Sequence, residues 1–171
     1  MTQANASTET GRSALSALAG KYLTFKLDAE EFGLEILKVQ EIIKMMEVTK
    51  VPRTPEFVRG VINLRGKVIP IVDLRLKFGM EGKVNTDKTC VIVVQVRRRA
   101  GTVVMGIIVD EVSEVLDVAG EQIEPAPEFG GAVDTSFILG MGKIGGRVVT
   151  LMDVDRVLSG EDVAAVAAAG A

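Results

Sequence analysis

Histidine and tryptophan are absent from the 171-residue sequence, which also contains a single cysteine and only 4% aromatic residues. Without histidine, the chain lacks the commonest general base, the usual activator of a nucleophile and the acceptor of a phosphohistidine. One cysteine cannot form an intrachain disulfide, and a zinc site would have to be built from carboxylates alone. The sequence contains no P-loop, HExxH or GxSxG pattern. We therefore predict no catalytic residue, no metal site and no cofactor.

The sequence also lacks a marked excess of either charge, since it has 20 basic and 23 acidic residues and a formal net charge of −3. A nucleic-acid-binding surface needs a clear basic excess, and binding of single strands adds aromatic side chains for stacking. Neither feature is present in the composition. The cluster Arg97-Arg98-Arg99 therefore predicts a solvated hairpin tip, and we expect no nucleic-acid partner.

Long hydrophobic runs are absent as well, because stretches such as "VVMGIIV" fall short of the roughly 18 residues of a membrane-spanning helix. The first residues show no cationic leader followed by an apolar block, so we expect no secretory signal. Cys90, in "CVIVV", is interpreted as a buried and inert thiol. These features predict a cytoplasmic protein that makes no direct contact with a membrane.

What is present is the composition of a globular protein, with 47% apolar and 25% charged residues. A chain of this length fits one domain, or two small ones that share a core. The polar sequence at the start predicts a flexible tail over residues 1–18. The alanine-rich sequence at the end predicts a short C-terminal helix over residues 161–171 that frays at its terminus.

Segments of the chain recur in the same order, which indicates an internal duplication. "GLEILKVQEI" from Gly33 resembles "GIIVDEVSEV" from Gly106. "GVINLRGKVIPIVDL" from Gly60 lies over "GMGKIGGRVVTLMDV" from Gly140 without a gap. The separation between matching segments is too long for a solenoid repeat, so we expect two copies of one structural unit.

Two further matches support the duplication. The first alignment places Glu41 over Glu114, and "PEF" at Pro55 recurs at Pro127. Each match is weak alone, but their common order favours two units over chance similarity.

Each unit reads as short strands with little helix. "YLTFKLDAEEFGLEI" alternates apolar and polar residues about a turn at Asp28, and "TCVIVVQVRRRAGTVVMGIIV" does so about residues 98–101. "LKVQEI" predicts a helical turn and then a strand. "TPEFVRG", with Thr54 as cap and Pro55 at the first helical position, predicts one short helix. About five strands per unit predict a mainly β chain in which each unit closes into a small barrel.

Two patterns resemble functional motifs but are better explained structurally. "GMGKIG", residues 140–145, satisfies G-x-G-x-x-G, yet the β-branched sequence "GGRVVTLMD" follows where a dinucleotide site needs a helix. We therefore predict a turn. Asp73 and Asp153 occupy equivalent repeat positions at strand ends, so we expect them to cap the next turn rather than to act as an acid–base pair.

The stretch "GVINLRGKVIPIVDLR", residues 60–75, has β-branched residues on both sides of Leu64-Arg65-Gly66-Lys67. Such a pattern predicts a hairpin whose tip presents Arg65 to solvent. Because catalysis and nucleic-acid binding are disfavoured above, a cationic tip on a rigid turn indicates recognition of another protein.

Four segments, "FGLEILKVQEI", "PEFVRGVINLRGKVIPIVDLR", "GIIVDEVSEVL" and "EQIEPAPEF", resemble the CheW family of chemotaxis coupling proteins in order and spacing. The resemblance covers about Lys21 to Gly160, although the tip "RRRAG" is somewhat long for the family. It implies a mainly β fold of two five-stranded SH3-like barrels that share a hydrophobic core, with few short helices and a C-terminal helix. Residues 19–160 would then form a single CheW-like domain of two intertwined barrel subdomains.

The function that the resemblance implies is that of an adaptor without catalytic activity. Such an adaptor binds the regulatory domain of the histidine kinase CheA and the cytoplasmic tip of chemoreceptors, and these partners recruit it to membrane-bound receptor arrays. A kinase of the same wider family would need an ATP-binding domain and a phosphorylatable histidine. A CheV-type fusion would need a receiver domain of about a hundred further residues. The stand-alone adaptor fits this sequence.

Positions that match the family's partner-binding segments can be named in this sequence. Glu41 and Arg65 are predicted to pair, which would hold the guanidinium in a fixed pose for a partner. Val91 and Val115 match positions that line the receptor-facing groove in the family. The predicted partner-binding residues are Val39, Glu41, Gly60, Arg65, Val91 and Val115.

Alternatives remain open at this point. Val39, Val91 and Val115 are equally well explained by core packing, Gly60 by a need for positive φ, and Arg65 by a solvated tip. The chain would alternatively serve a non-flagellar chemosensory system as scaffold. A third hypothesis is a barrel protein that binds a small ligand in the cleft between its two barrels. An enzyme is the interpretation that the sequence favours least.

Overall fold

The computed structural model describes residues 16–80, 84–99, 101–127 and 135–158. The predicted C-terminal helix over 161–171 and residues 1–15 of the predicted tail lie outside the described residues. The strands in the described part are β1 (Gly20–Leu27), β2 (Glu30–Glu35), β3 (Val39–Lys44), β4 (Val58–Leu64), β5 (Lys67–Asp73), β6 (Cys90–Arg98), β7 (Gly101–Val109), β8 (Glu111–Val118), β9 (Ile123–Glu124), β10 (Ile138–Ile144) and β11 (Arg147–Met152).

Helical structure in the described residues is limited to single turns. The α-helices are α1 (Leu74–Lys77) and α2 (Val154–Val157), and 3₁₀ turns occupy Ile36–Lys38 and Gly120–Gln122. None of these helices has the length and apolar character that crossing a bilayer requires. The predicted mainly β class is therefore confirmed, and so is the predicted helical turn followed by a strand in "LKVQEI".

The strands form two sheets. The six-stranded sheet has the order β8-β1-β2-β11-β10-β9, and the five-stranded sheet has the order β3-β6-β7-β5-β4. Neighbouring strands are antiparallel except for β11 with β2 and β5 with β7, which are parallel. The hairpins predicted to turn at Asp28 and at residues 98–101 are β1–β2 and β6–β7.

The prediction of one barrel per repeat unit is wrong, because the two units exchange their last hairpins. The β4–β5 hairpin of the first unit pairs with β7 of the second, and β10–β11 pairs with β2. Two repeat-related glycines allow the strands to meet this closely. A Cβ on Gly106 would lie 2.5 Å from Cδ1 of Ile71, and one on Gly33 would lie 2.8 Å from Cδ2 of Leu151.

Three apolar clusters stabilise this arrangement, and their placement confirms the predicted shared core. The largest contains residues of both sheets, including Phe25 and Leu34 from one and Ile92 and Ile107 from the other. Each sheet also encloses a cluster of its own: Ile62, Ile69, Ile71, Val91, Val93 and Ile108 in the five-stranded sheet, and Tyr22, Val118, Ile123, Val149 and Leu151 in the six-stranded one. Removal of these side chains from water is the main favourable term in folding.

Neither sheet closes into a complete barrel through its strand ladder, as far as the described residues show. β3 and β4 are the outer strands of the five-stranded sheet, and β8 and β9 are those of the six-stranded sheet. A single bridge between Thr49 and Val61 pairs the segment after β3 with β4. The curvature is nevertheless barrel-like, because each sheet covers its own apolar cluster.

The hairpins end in caps that the sequence predicted. Asp73 accepts a hydrogen bond from the backbone N–H of Arg75 and caps α1, and Asp153 caps α2 in the same way. "GMGKIG" lies in β10 and the turn to β11, as predicted. Both aspartates are therefore structural residues at equivalent positions of the repeat.

The helix predicted at "TPEFVRG" is wrong. Residues 54–57 form a turn instead of a helix, in which the N–H of Val58 donates to the carbonyl of Pro55 at 3.0 Å. The chain enters β4 at Val58, so only this one hydrogen-bonded turn closes before the strand begins. Phe57 and Phe137 occupy equivalent places, because their carbonyls accept 2.7 Å hydrogen bonds from the backbone N–H groups of Asp73 and Asp153. Residues 128 and 129 of the second "PEF" lie outside the described residues.

Two ion pairs join the sheets at equivalent places. The helix contributes the cation in one pair and the anion in the other. Arg75, two residues after the cap of α1, donates to Asp110 at 2.9 Å, and Asp110 also accepts from the backbone N–H of Asp28. Asp155, two residues after the cap of α2, accepts from Lys38 and from the backbone N–H of Arg97, both at 2.7 Å. Each pair ties the helix that follows one sheet to residues in, or directly next to, strands of the other.

Candidate partner-binding surface

Arg65 lies at the tip of the β4–β5 hairpin. Arg65 and Gly66 both have positive φ, 51° and 86°, as the two central residues of a type I′ turn require. The N–H of Gly66 donates to the side chain of Asn63 at 2.9 Å, which fixes the turn. The Arg65 side chain is 68% exposed, so the backbone presents a guanidinium to solvent on a short and rigid loop.

Glu41 on β3 meets this guanidinium. Its carboxylate accepts a hydrogen bond from Nη2 of Arg65, which confirms the predicted pairing. β3 and the β4–β5 hairpin lie at opposite ends of the five-stranded sheet, so the ion pair spans the open side of the curved sheet. An ion pair this exposed adds little to the free energy of unfolding, and its main physical effect is to restrict the orientation of Arg65.

The three predicted valines lie in different environments. Val91 is 1% exposed and belongs to the cluster enclosed by the five-stranded sheet, so its side chain packs the core and does not reach solvent. Val39 is half-buried against the shared core. Val115, on the outer strand β8 of the six-stranded sheet, is 49% exposed. Of the three, Val115 has the most surface available for a partner.

Gly60 is required by the backbone. Its φ is +135°, and a Cβ at this position would lie 2.0 Å from the carbonyl oxygen of Thr49. The N–H of Thr49 donates to the carbonyl of Val61, and the N–H of Val61 donates back, both at 2.9 Å. Gly60 thus lets the segment after β3 cross β4 at close range, which supports the structural explanation of this glycine.

The comparisons with known proteins agree with this geometry. A family model for the CheW-like domain matches residues 21–162. The chain belongs to the CheW-like family. It is 44% identical to the chemotaxis protein CheW of Klebsiella aerogenes over 161 residues, which cover 91% of this chain and 95% of the relative. It is 37% identical to CheW of Rhizobium meliloti over 140 residues, covering 82% of this chain and 88% of that protein.

A solved structure shows the same architecture. The crystal structure of the scaffolding protein TtCheW from Thermoanaerobacter tengcongensis is 33% identical and superposes with a TM-score of 0.73, covering 85% of this chain and 96% of that one. This CheW-like chain is thus a chemotaxis coupling adaptor of the CheW type, which is a scaffold without catalytic activity.

A second arginine–glutamate pair in this CheW-like chain was missed by the sequence reasoning. Arg147, at the start of β11, donates to Glu31 on β2 at 3.2 Å and to Glu114 on β8 at 2.8 Å. Glu114 is the repeat counterpart of Glu41, and this alignment was the available signal. The alignment does not match the two arginines, because Arg65 precedes the glycine of its turn whereas Arg147 follows Gly146.

Exposed apolar residues also occupy equivalent repeat positions in the two sheets. Ile42, the repeat counterpart of Val115, is 45% exposed on the outer strand β3. Val68 and Val148, which the gap-free alignment of the two hairpins matches, are both exposed near the hairpin tips. Each sheet therefore presents an outer strand with one exposed apolar side chain and an arginine–glutamate pair beside it.

The ionisation states of Arg147 and Cys90 favour non-covalent binding over covalent chemistry. Hydrogen bonding to Glu114 and the charge of Glu31 raise the pKa of Arg147, which stays cationic. Burial raises the pKa of the Cys90 thiol, so it is protonated at neutral pH, in agreement with the interpretation of an inert cysteine. The arrangement can recognise charged and apolar groups by non-covalent contacts.

Proposed function

We propose that this adaptor binds the regulatory domain of CheA and the cytoplasmic tip of a chemoreceptor at the same time. The single observation that carries the proposal is the orientation of Arg65 by Glu41 on a rigid hairpin tip. Residues 19–160 act as the binding unit, and the partners hold the protein at membrane-bound receptor arrays.

The proposed mechanism is an increase in effective concentration. A protein that holds two partners places each beside the other, which raises the affinity of their encounter without a new contact between them. The adaptor passes on the receptor state only if it makes different contacts with the two kinase conformations. Glu41, Arg65 and the exposed Val115 are the proposed contact residues, with Val39 and Gly60 supporting them. Val91 takes part only through the packing beneath the surface.

The experiment that tests the proposal is the substitution Arg65→Asp. We expect the affinity for a kinase or receptor fragment to fall by about tenfold or more, because the contact charge is reversed, while the melting temperature stays within a few degrees. Lys143→Asp is the matched control, since Lys143 is also an exposed cation paired with a glutamate, 2.8 Å from Glu124. Unchanged affinity in Arg65→Asp, or equal loss in the control, would refute the proposal.

A further inference from the structure

A groove lies beside the segment that follows β3. It has a volume of about 570 Å³ and is lined by Val48, Lys50, Val51, Arg53, Thr54, Pro55, Glu56, Val58 and Arg59. This volume lies within the range of sites that bind ligands or peptide segments. Three cations and one carboxylate in a groove contrast with the whole chain, whose net charge is −3.

The cations of this groove have few partners within the part of the chain that the structure describes. Within the described residues, neither Lys50 nor Arg53 makes a side-chain hydrogen bond or an ion pair. Arg59 has Asp73 at 4.0 Å, but that carboxylate is already engaged by the buried Arg75 at 2.9 Å. The groove therefore holds three positive charges with capacity for an anionic partner.

Arg53 has an unfavourable backbone conformation. Its φ is +60°, in the left-handed region that disfavours residues with a branched or long side chain, and it is one of three such non-glycine residues in the described chain. Asparagine or glycine would occupy this conformation at lower cost. Backbone strain of this kind concentrates at functional sites. Here the strained residue is also one of the unpaired cations.

The position of the groove depends on Gly60. Because a Cβ there would lie 3.0 Å from Cα of Lys50 and 2.0 Å from the oxygen of Thr49, only glycine lets the chain carrying Lys50 pack on β4. The bridge between Thr49 and Val61 then holds the backbone of Lys50 against Gly60 of β4, and Lys50 and Arg59 both line the groove. The groove is thus built on paired backbone.

We propose that this groove binds an extended, acidic segment of a protein partner. Its lining combines the apolar side chains of Val48, Val51, Pro55 and Val58 with the groove's three cations, so a chain that alternates carboxylates with apolar side chains matches both features. A compact multivalent anion fits less well, because the carboxylate of Glu56 lies in the same wall. The inference goes beyond the proposed function, and its test uses neither kinase nor receptor.

The test measures binding of a fluorescein-labelled peptide of alternating glutamate and valine by fluorescence anisotropy. We expect binding at millimolar or lower peptide concentration that weakens with added salt. The substitution Lys50→Gln/Arg53→Gln/Arg59→Gln should weaken it by about 10- to 100-fold. Lys21→Gln/Lys26→Gln/Lys88→Gln removes the same net charge elsewhere and should leave most of the binding. No binding by the wild-type chain, or equal losses in both triple variants, would overturn the proposal.

A second variant separates a binding role of Arg53 from a structural one. Arg53→Asn should raise the melting temperature by a few degrees, because asparagine tolerates positive φ, yet weaken peptide binding. Arg53→Lys should keep both the strain and the binding. Full peptide binding by Arg53→Asn contradicts the role of this cation. Tighter binding of inorganic tripolyphosphate than of the peptide, lost in the groove variant, contradicts a peptide as occupant.

Discussion

Arg147 and Glu114 form a 2.8 Å ion pair that repeats, in the six-stranded sheet, the pairing of Arg65 with Glu41 in the five-stranded sheet. Both pairs join a hairpin tip to an outer strand. The glutamates are related by the repeat, whereas the arginines come from different positions of their turns. The internal duplication has therefore kept the ion pair as a spatial relationship rather than as a sequence motif.

The Glu41–Arg65 pair allows a test of whether Arg65 contacts a partner or only supports the fold. In the exchange Glu41→Arg/Arg65→Glu the two charges can still attract each other across the same gap. We expect unfolding in urea to match the wild type within about 1 kcal/mol, because the pair is exposed. Partner binding should remain weak, because the partner now meets a carboxylate. Recovery of binding in the exchanged protein would show that the pair acts structurally.

Gly60 and Gly66 both have positive φ but differ in their surroundings. A Cβ on Gly60 would lie 2.0 Å from a backbone oxygen, whereas one on Gly66 would have no heavy atom within 4 Å. We expect Gly60→Ala to lower the free energy of unfolding by about 3 kcal/mol or more, and Gly66→Ala by about 1 kcal/mol. Urea unfolding of the two variants measures the difference. Equal losses would mean that the crossing of Thr49 over β4 is not tightly packed.

Asp155 has two partners that substitutions can separate. Its carboxylate accepts from Lys38 and from the backbone N–H of Arg97, each at 2.7 Å. Asp155→Asn keeps an acceptor for the N–H but loses the charge, so we expect a loss of about 1 kcal/mol. Asp155→Ala also leaves the N–H unpaired, and we expect about 2–3 kcal/mol. The outcome that contradicts this explanation is the same urea midpoint for both variants.

Tyr22, the only tyrosine of the chain, should make stability depend on alkaline pH. Burial, with a smaller effect of Glu35, raises its pKa from 10.0 to about 12. Its hydroxyl donates to the carbonyl of Leu18 at 2.6 Å. Because the folded protein holds the proton more tightly, this contribution is complete below pH 10 and is lost as the pH rises from about 10 to 12. The maximum is about 3 kcal/mol.

The near-ultraviolet absorbance of tyrosinate reads this titration directly. We expect a midpoint of about 12 in the folded protein and near 10 in concentrated urea. Tyr22→Phe should remove the tyrosinate signal and flatten the alkaline part of the stability curve. A midpoint near 10 in the folded protein would show that Tyr22 is not buried as the structure places it.

Predictions of secondary structure were confirmed where a short sequence pattern defines the backbone conformation. Alternating apolar residues located the β1–β2 and β6–β7 hairpins, and Asp73 and Asp153 cap the turns that follow their strands. The helix expected at Thr54 is a turn, because the strand that begins at Val58 determines the conformation there. The environment of Val91 could not be predicted from the sequence, since an apolar residue fits a buried position and an exposed groove equally well.

The sequence by itself determined the hairpins, their caps and the mainly β class, because these depend on residues within about ten positions of one another. It also showed the duplication, because matching segments recur in the same order. Only the tertiary structure decided which hairpin joins which sheet, because either unit offers a similar apolar strand to the other. The choice rests on contacts between distant residues, such as Ile71 against Gly106 and Leu151 against Gly33. The same folding brings Arg147 to Glu114 and packs Lys50 against Gly60, contacts that no local pattern encodes.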